Sequence, residues 1–254
     1  FGEGAGRYAI GLRHPVVLAL ARVFQRQERA PLGMTIKVDN QIPLSSGLGA
    51  ETAFLVAGVI GGNNLMGNVY TRDLALEIAA QISRPDSAVS AMLGGLSTSI
   101  LEGEKLRYRS LSVTPFKVVI VLPELEKYAR PTAPERIPYT GAAHNLSRLP
   151  LFIEALREGD FDLLALTIQD YLQAPRLIPQ LTGYAPAVEV AKRAGAAAVT
   201  IAGDGPALLA FGDEKRLDEI ANVMVAAFKA VDVKARSWVI PIDTQGVILS
   251  VMGR

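Results

Sequence analysis

The sequence predicts an α+β fold in two domains, residues 1–114 and 115–254. Three observations carry that expectation. Residues 34–60 read as a strand, a tight Gly/Ser loop and a buried helix. Residues 116–122 form an apolar, β-branched run suited to a central strand. Beyond it, strand and helix signals alternate, as expected for helices layered on an antiparallel sheet. The 254 residues, half of them hydrophobic, suit one large core or two smaller ones.

Taken in order, Gly2-Glu3-Gly4-Ala5-Gly6 reads as a turn. Residues 14–27 carry Val17, Leu18, Leu20, Ala21 and Phe24 at helical spacing. Met34, Ile36 and Val38 alternate with polar neighbours, the pattern of a half-buried strand. Residues 53–60 are apolar except for Gly58 and read as a buried helix. Residues 71–82 are amphipathic, with Thr71 as N-cap and Asp73 in the first turn. A short helix at 88–92 leads into Gly94-Gly95, and strands at 96–100 and 106–113 form a hairpin turning at Glu102-Gly103. The domain boundary falls near Thr114-Pro115. Helices are expected at 149–158, 161–171 and 184–194, the last stopped by Gly195. Strands at 197–201 and 207–211 flank Gly203-Asp204-Gly205. A long amphipathic helix at 215–231 precedes strands at 234–241 and 246–252. This order fits a ferredoxin-like second half.

Chemistry concentrates in Pro43-Leu44-Ser45-Ser46-Gly47-Leu48-Gly49-Ala50-Glu51-Thr52. Gly47 and Gly49 permit positive φ and close backbone approach. The next helix opens with unpaired N–H groups and a positive dipole end, which together favour an anion. The loop is not a Walker A sequence, because it lacks Gly-Lys-Ser/Thr, and the third glycine of a dinucleotide fingerprint is absent. On spacing alone it fits a phosphate cradle or a purely structural turn equally well.

Composition narrows the classes. A net charge of +1 points to neither a nucleic-acid partner nor an acidic tail. The chain has no cysteine, which excludes disulfides and thiolate chemistry and fits a cytoplasmic protein. Charged residues interrupt every apolar run before it reaches membrane-spanning length. The two histidines, His14 and His144, are too far apart in sequence to suggest a metal site.

The motifs resemble those of the GHMP small-molecule kinases. Pro-Leu-Ser-Ser-Gly-Leu-Gly-Ala-Glu-Thr-Ala from Pro43 is similar to that family's second motif, Pro-x-Gly-x-Gly-Leu-Gly-Ser-Ser-Ala. Arg84-Pro85-Asp86-Ser87 with Leu93-Gly94-Gly95-Leu96 resembles the His-Pro-Asp-Asn…Gly-Gly segment of its homoserine kinases. Thr132-Ala133-Pro134-Glu135-Arg136-Ile137-Pro138 resembles their Thr-x-x-Ala-Arg-x-x-Leu-Pro. Asn145-Leu146-Ser147-Arg148, Ala155-Leu156, Gly159-Asp160 and Asp170 keep their order and spacing. Ile201-Ala202-Gly203-Asp204-Gly205-Pro206-Ala207 is similar to the third motif, Ile-Ser-Gly-Ala-Gly-Pro-Thr. The first motif, an Asn-Leu-Gly-Pro-Gly-Phe-Asp-like stretch, is not found. The expectation is that N-terminal strands and part of the substrate pocket precede Phe1.

The resemblance implies a ribosomal protein S5 domain 2-like N-terminal nucleotide-binding domain, a ferredoxin-like C-terminal domain, and a homodimer. It implies ATP and Mg²⁺ as cofactors and homoserine as acceptor, phosphorylated on its side-chain hydroxyl in threonine biosynthesis. By position, Pro43 to Thr52, Gly203 and Gly205 fall on the nucleotide site. Arg136 and Arg176 align with cations for the acceptor carboxylate, a task suited to guanidinium. Thr132 and Ser87 accompany them, and Arg130 is a fallback cation. Asp86 is the carboxylate suited to orient the acceptor hydroxyl; otherwise it caps the helix from Ala88. Asn145 is expected to fix its adjacent loop. His14 stands where the family places an adenine-contacting Asn.

The metal site departs from the family. Its Ser ligand positions are Ala50 and Glu51 here, and its Glu position aligns with Ile82. Mg²⁺ takes one or two carboxylates plus phosphate oxygens and water. Glu51 is therefore the expected metal ligand, with Glu77 a lesser candidate. The competing view is that Glu51 only favours the helix dipole. Three functions stay open: a homoserine kinase, a kinase of another small hydroxyl substrate, and a degenerate relative that binds a metabolite or partner. The last draws on the joint changes at Ala50, Glu51, Ile82, Ser87 and Ala207.

Overall fold

A computed structural model describes residues 1–7, 11, 13–30, 33–130, 132 and 134–250. The chain divides into two compact units. The first comprises Phe1–Leu44, Gly49–Ser112 and Asp243–Arg254; the second comprises Ser45–Leu48 and Val113–Ile242. A single cut at 114/115 thus describes neither the short loop segment nor the C-terminal return. No helix among the described residues is long and apolar enough to cross a membrane.

The first unit holds α1 (Pro15–Gln25), α2 (Ala50–Leu65), α3 (Arg72–Ile82), α4 (Pro85–Leu93), β1 (Leu96–Glu102) and β2 (Lys105–Leu111). His14 caps α1 through Nδ1, which accepts from the Val16 N–H at 3.2 Å, and Pro15 starts the helix. Thr71 caps α3 as expected, accepting from the Leu74 N–H at 3.3 Å. The core gathers Val23, Val56, Val59, Leu76, Ile78, Val89 and Met92. Buried Asn63 donates to the Tyr70 carbonyl and accepts from the Tyr70 N–H, satisfying both ends of its amide.

Gly58 and Gly62 lie one turn apart on the face of α2 against α1. A Cβ on Gly58 would sit 2.3 Å from the Val16 carbonyl oxygen and 2.7 Å from the Ala19 Cβ. Helical propensity favours alanine over glycine by about 1 kcal/mol. The clash is with backbone, which cannot move aside cheaply, and overpacking costs about 1–3 kcal/mol. Gly58→Val is therefore expected to destabilise the chain by about 2 kcal/mol or more in urea unfolding. An unchanged midpoint would mean the two helices do not need this approach.

Among the described residues, two expected strands do not form. Residues 33–39 make no ladder; only an isolated parallel bridge joins Gly2 to Asn40. The Phe1 nitrogen donates to the Val38 carbonyl, and the Glu3 N–H to that of Asn40. Alternation marks a half-buried extended segment, but a strand also needs a partner along its length. Residues 246–250 are likewise unpaired, and 251–252 lie outside the described residues. This segment is pinned instead by single bonds: Gly95 N–H to the Asp243 carbonyl, and Val247 N–H to that of Met92.

The second unit holds β3 (Lys117–Pro123), α5 (Tyr139–Glu158), α6 (Phe161–Thr167), α7 (Ala174–Leu177), α8 (Tyr184–Arg193), β4 (Ala196–Ile201), β5 (Leu208–Gly212), α9 (Leu217–Lys229) and β6 (Ala235–Pro241). The sheet order is β4-β5-β3-β6, all antiparallel, which is the ferredoxin-like order. Val119 and Val121 pack with Ile220, Met224 and Phe228 of α9 and Ala187 and Ala191 of α8. Val118, Ile120 and Leu122 pack on the other side with Ala155 of α5 and Leu164 of α6. Burial on both faces explains the unbroken apolar run in β3.

Several boundaries differ from those the sequence predicts. The helix expected at 149–158 begins at Tyr139 and carries Pro150 inside it. The helix expected at 161–171 ends at Thr167, and the one expected at 215–231 spans Leu217–Lys229 after a 3₁₀ turn. Asp86 is not the cap of α4; Arg84 occupies that position and Asp86 lies in the first turn.

Candidate active site

The glycine loop is built from left-handed backbone. Ser45, Gly47 and Gly49 have φ of 56°, 87° and 84°. Gly49 stands at the N-cap of α2 without a side chain, so the cap residue leaves the first-turn N–H groups open to an anion. Ser46 is buried at 2% exposure, and its hydroxyl accepts from the Leu48 N–H at 3.2 Å. Upstream, Asn40 orders the entry: its amide donates to the Glu3 and Ile42 carbonyls and accepts from the Ile42 N–H. Sequence reasoning passes over Asn40, although asparagine before a turn is the usual signal for such self-bonding.

Within the second unit, Ser45–Leu48 meets the Gly203–Gly205 turn backbone to backbone. The Ala207 N–H donates to the Ser46 carbonyl at 3.0 Å. A Cβ on Gly47 would lie 2.0 Å from the Ala202 carbonyl oxygen and 2.9 Å from the Gly205 nitrogen; one on Gly203 would lie 2.8 Å from the Gly47 oxygen. The Tyr128 hydroxyl donates to the Asp204 carbonyl, and Arg130 pairs with the Asp204 carboxylate at 3.5 Å. Burial, then the Asp204 charge, pushes the Tyr128 hydroxyl up, keeping it a donor. Arg130 therefore supports the turn rather than standing as a spare cation.

In the first unit, a cavity of about 330 Å³ is lined by His14, Val17, Ile36, Val38, Asn40 and Phe54, among others. The His14 ring meets Phe54 edge-on, with centroids 5.3 Å apart. Because Nδ1 accepts from Val16, the neutral imidazole carries its proton on Nε2.

The other candidates separate by unit. Asp86 is exposed and paired with Arg84 at 3.1 Å; Ser87 beside it is half-buried. Glu51 is exposed in the first turn of α2, Glu77 is half-buried on α3, and Ile82 packs against the core. No group of three His, Asp or Glu side chains among the described residues could hold a metal. The donor set nevertheless fits Mg²⁺ shared with phosphate, which needs only one or two carboxylates from protein. Arg136 is exposed in the loop before α5, and Arg176 sits on α7. The structure brings Arg176 to the Thr132 loop, where its guanidinium donates to the Thr132 carbonyl and to the Gln173 side chain.

The N–H groups that a glycine cap leaves open at the start of α2 suit an anion of the kind phosphotransfer handles. In the second unit, the Ser46–Gly47 backbone packs on a second glycine turn. Residues 15–95 match the GHMP kinases N terminal domain and residues 152–230 the GHMP kinases C terminal domain. The chain belongs to the GHMP kinase family. Its curated relatives include the homoserine kinase of Moorella thermoacetica, 32% identical over 92% of this chain and 80% of that one. The homoserine kinase of Carboxydothermus hydrogenoformans is 30% identical over 84% and 72%. The crystal structure of homoserine kinase from Cytophaga hutchinsonii shares the fold, with a TM-score of 0.83 at 23% identity, covering 96% of this chain and 81% of that one.

Proposed function

We propose that this chain transfers the terminal phosphoryl group of ATP to the side-chain hydroxyl of homoserine, in threonine biosynthesis. The observation that carries the proposal is the similarity to homoserine kinases over most of the chain, joined to the glycine-capped loop at α2. The loop 43–52 holds phosphates through backbone N–H groups, and Gly203 and Gly205 admit the second turn against it. The cavity beside His14 and Phe54 suits an adenine ring, so the first unit serves as the nucleotide-binding domain. Arg136 and Arg176, with Thr132, take the homoserine carboxylate, while Asp86 and Ser87 orient its hydroxyl. Glu51 would hold Mg²⁺, which would supply neutralisation of the phosphate charge. We place the enzyme in the cytoplasm as a homodimer, without nucleic-acid or membrane partners.

The test is ADP release with ATP, Mg²⁺ and homoserine. A hydrogen-bonded charge contributes about 1.5–3 kcal/mol. Arg136→Ala should therefore raise KM for homoserine about tenfold to a hundredfold, with KM for ATP little changed. Absence of turnover with homoserine, but turnover with another small hydroxyl acceptor, would keep the kinase and change its substrate. Absence with all acceptors favours a non-catalytic relative, the reading supported by the joint changes at Ala50, Glu51, Ile82, Ser87 and Ala207.

A further inference from the structure

We propose that Asn145 and Asp170 form a positioning clamp that sets the two arginines assigned to the acceptor, Arg136 and Arg176. The carboxylate-bearing acceptor rests on the function proposed above; the clamp itself rests on geometry within the second unit.

The connections run in a closed circuit. α5 begins at Tyr139, just past Arg136. Gly141, His144 and Asn145 share one face of that helix, and all three grip the turn at 170–172. A Cβ on Gly141 would come within 3.2 Å of the Tyr171 carbonyl oxygen, so glycine permits the approach. The His144 ring lies 3.9 Å from that of Tyr171, centroid to centroid. Asn145 donates to Asp170 Oδ1 at 2.7 Å and accepts from the Tyr171 N–H at 3.0 Å.

Asp170 in turn organises residues 171–177. Its carboxylate accepts from the N–H groups of Leu172 at 2.8 Å and of Gln173 and Ala174 at 3.0 Å. Burial works to raise its pKa, but the bonds from Asn145 and the three backbone donors prevail and hold it below the ordinary carboxylate value. It is thus an anion at neutral pH, and it sets the start of α7. α7 is four residues long and cannot hold a conformation by itself. Arg176 on α7 donates to the Gln173 side chain and to the Thr132 carbonyl, returning the circuit to the loop that carries Arg136. A guanidinium on a long side chain binds a carboxylate well only when its backbone is already placed.

The test compares Asp170→Asn with the parent enzyme. The amide turns one acceptor into a donor facing backbone N–H groups. KM for homoserine should rise about tenfold, with KM for ATP within about twofold. Amide hydrogen exchange should quicken together at residues 171–177 and 135–137, and not in the sheet. Should Asp170→Asn fail to fold, Asn145→Ala is expected to act in the same direction. An unchanged KM for homoserine overturns the clamp, as does faster exchange confined to 171–177. Equal rises in both KM values with a lowered thermal midpoint also overturn it, since a merely structural role predicts that. If the parent shows no homoserine turnover, the functional reading fails, and joint or separate exchange of the two segments still decides the clamp.

Discussion

Gly47→Ala is expected to lower homoserine-dependent ADP release about a hundredfold, whereas Gly49→Ala two residues on should cost far less. Both glycines hold similar left-handed backbone, φ 87° and 84°. For a residue with a side chain that conformation costs about 1–2 kcal/mol. The difference lies in what a side chain would meet. At Gly49 no atom of the described residues, beyond its chain neighbours, lies within 4 Å of an added Cβ; at Gly47 the Ala202 carbonyl oxygen would be 2.0 Å away. That oxygen is backbone, fixed by its own bond from the Gly205 N–H at 2.8 Å. The Gly47 substitution must therefore move one loop from the other. A displacement of about 1 Å in groups that position reactants costs about a hundredfold. Measuring kcat and the thermal midpoint for both variants separates the effects. Similar losses at the two positions would show that only backbone conformation matters and that the close approach of the two turns does not.

The same contrast shows what a sequence can and cannot disclose. Glycine at 47, 203 and 205 announces a tight backbone approach, because few other needs place glycines so. Thr71 as a cap, the central run of β3 and the stop at Gly195 are legible because each is decided within a few residues. Tertiary contacts decide the rest. Residues 34–38 have the alternation of a strand, but a ladder requires a partner, which local pattern cannot supply. The helix expected to start at residue 149 has Pro150 in what would be its first turn, where proline is tolerated. The helix instead runs on from Tyr139, because Gly141, His144 and Asn145 have a turn to pack against. In sequence, Asp170 is only a position that matches a family pattern. Its place between α6, which ends at Thr167, and α7 is visible only once its four donors are located. Arg176 is an isolated cation in sequence, and its bond to Thr132 spans 44 residues.

Glu51→Ala is expected to change the metal dependence of nucleotide binding, and in opposite directions with and without Mg²⁺. Glu51 lies in the first turn of α2, beside the N–H groups assigned to phosphate. Without metal, its charge opposes that of a triphosphate. Two unit charges 4 Å apart interact by about 1 kcal/mol in water and about 4 kcal/mol at an effective dielectric of 20. Glu51 is exposed, so the smaller figure applies, and removing it should tighten metal-free ATP binding about fivefold. With Mg²⁺ the sign should reverse if, as proposed above, the carboxylate is the protein ligand of the cation. Losing it should weaken metal-supported binding and turnover about tenfold to a hundredfold, the range seen when even outer groups of metal sites are removed. Titration of ATP with and without Mg²⁺, on both proteins, reads the two effects separately. If Glu51 serves only the helix dipole, the variant loses about 0.3–1 kcal/mol of stability and its Mg²⁺ dependence matches the parent's. That outcome would remove Glu51 from the metal site while leaving the phosphate loop in place, and would direct the search for a carboxylate to Glu77 on α3.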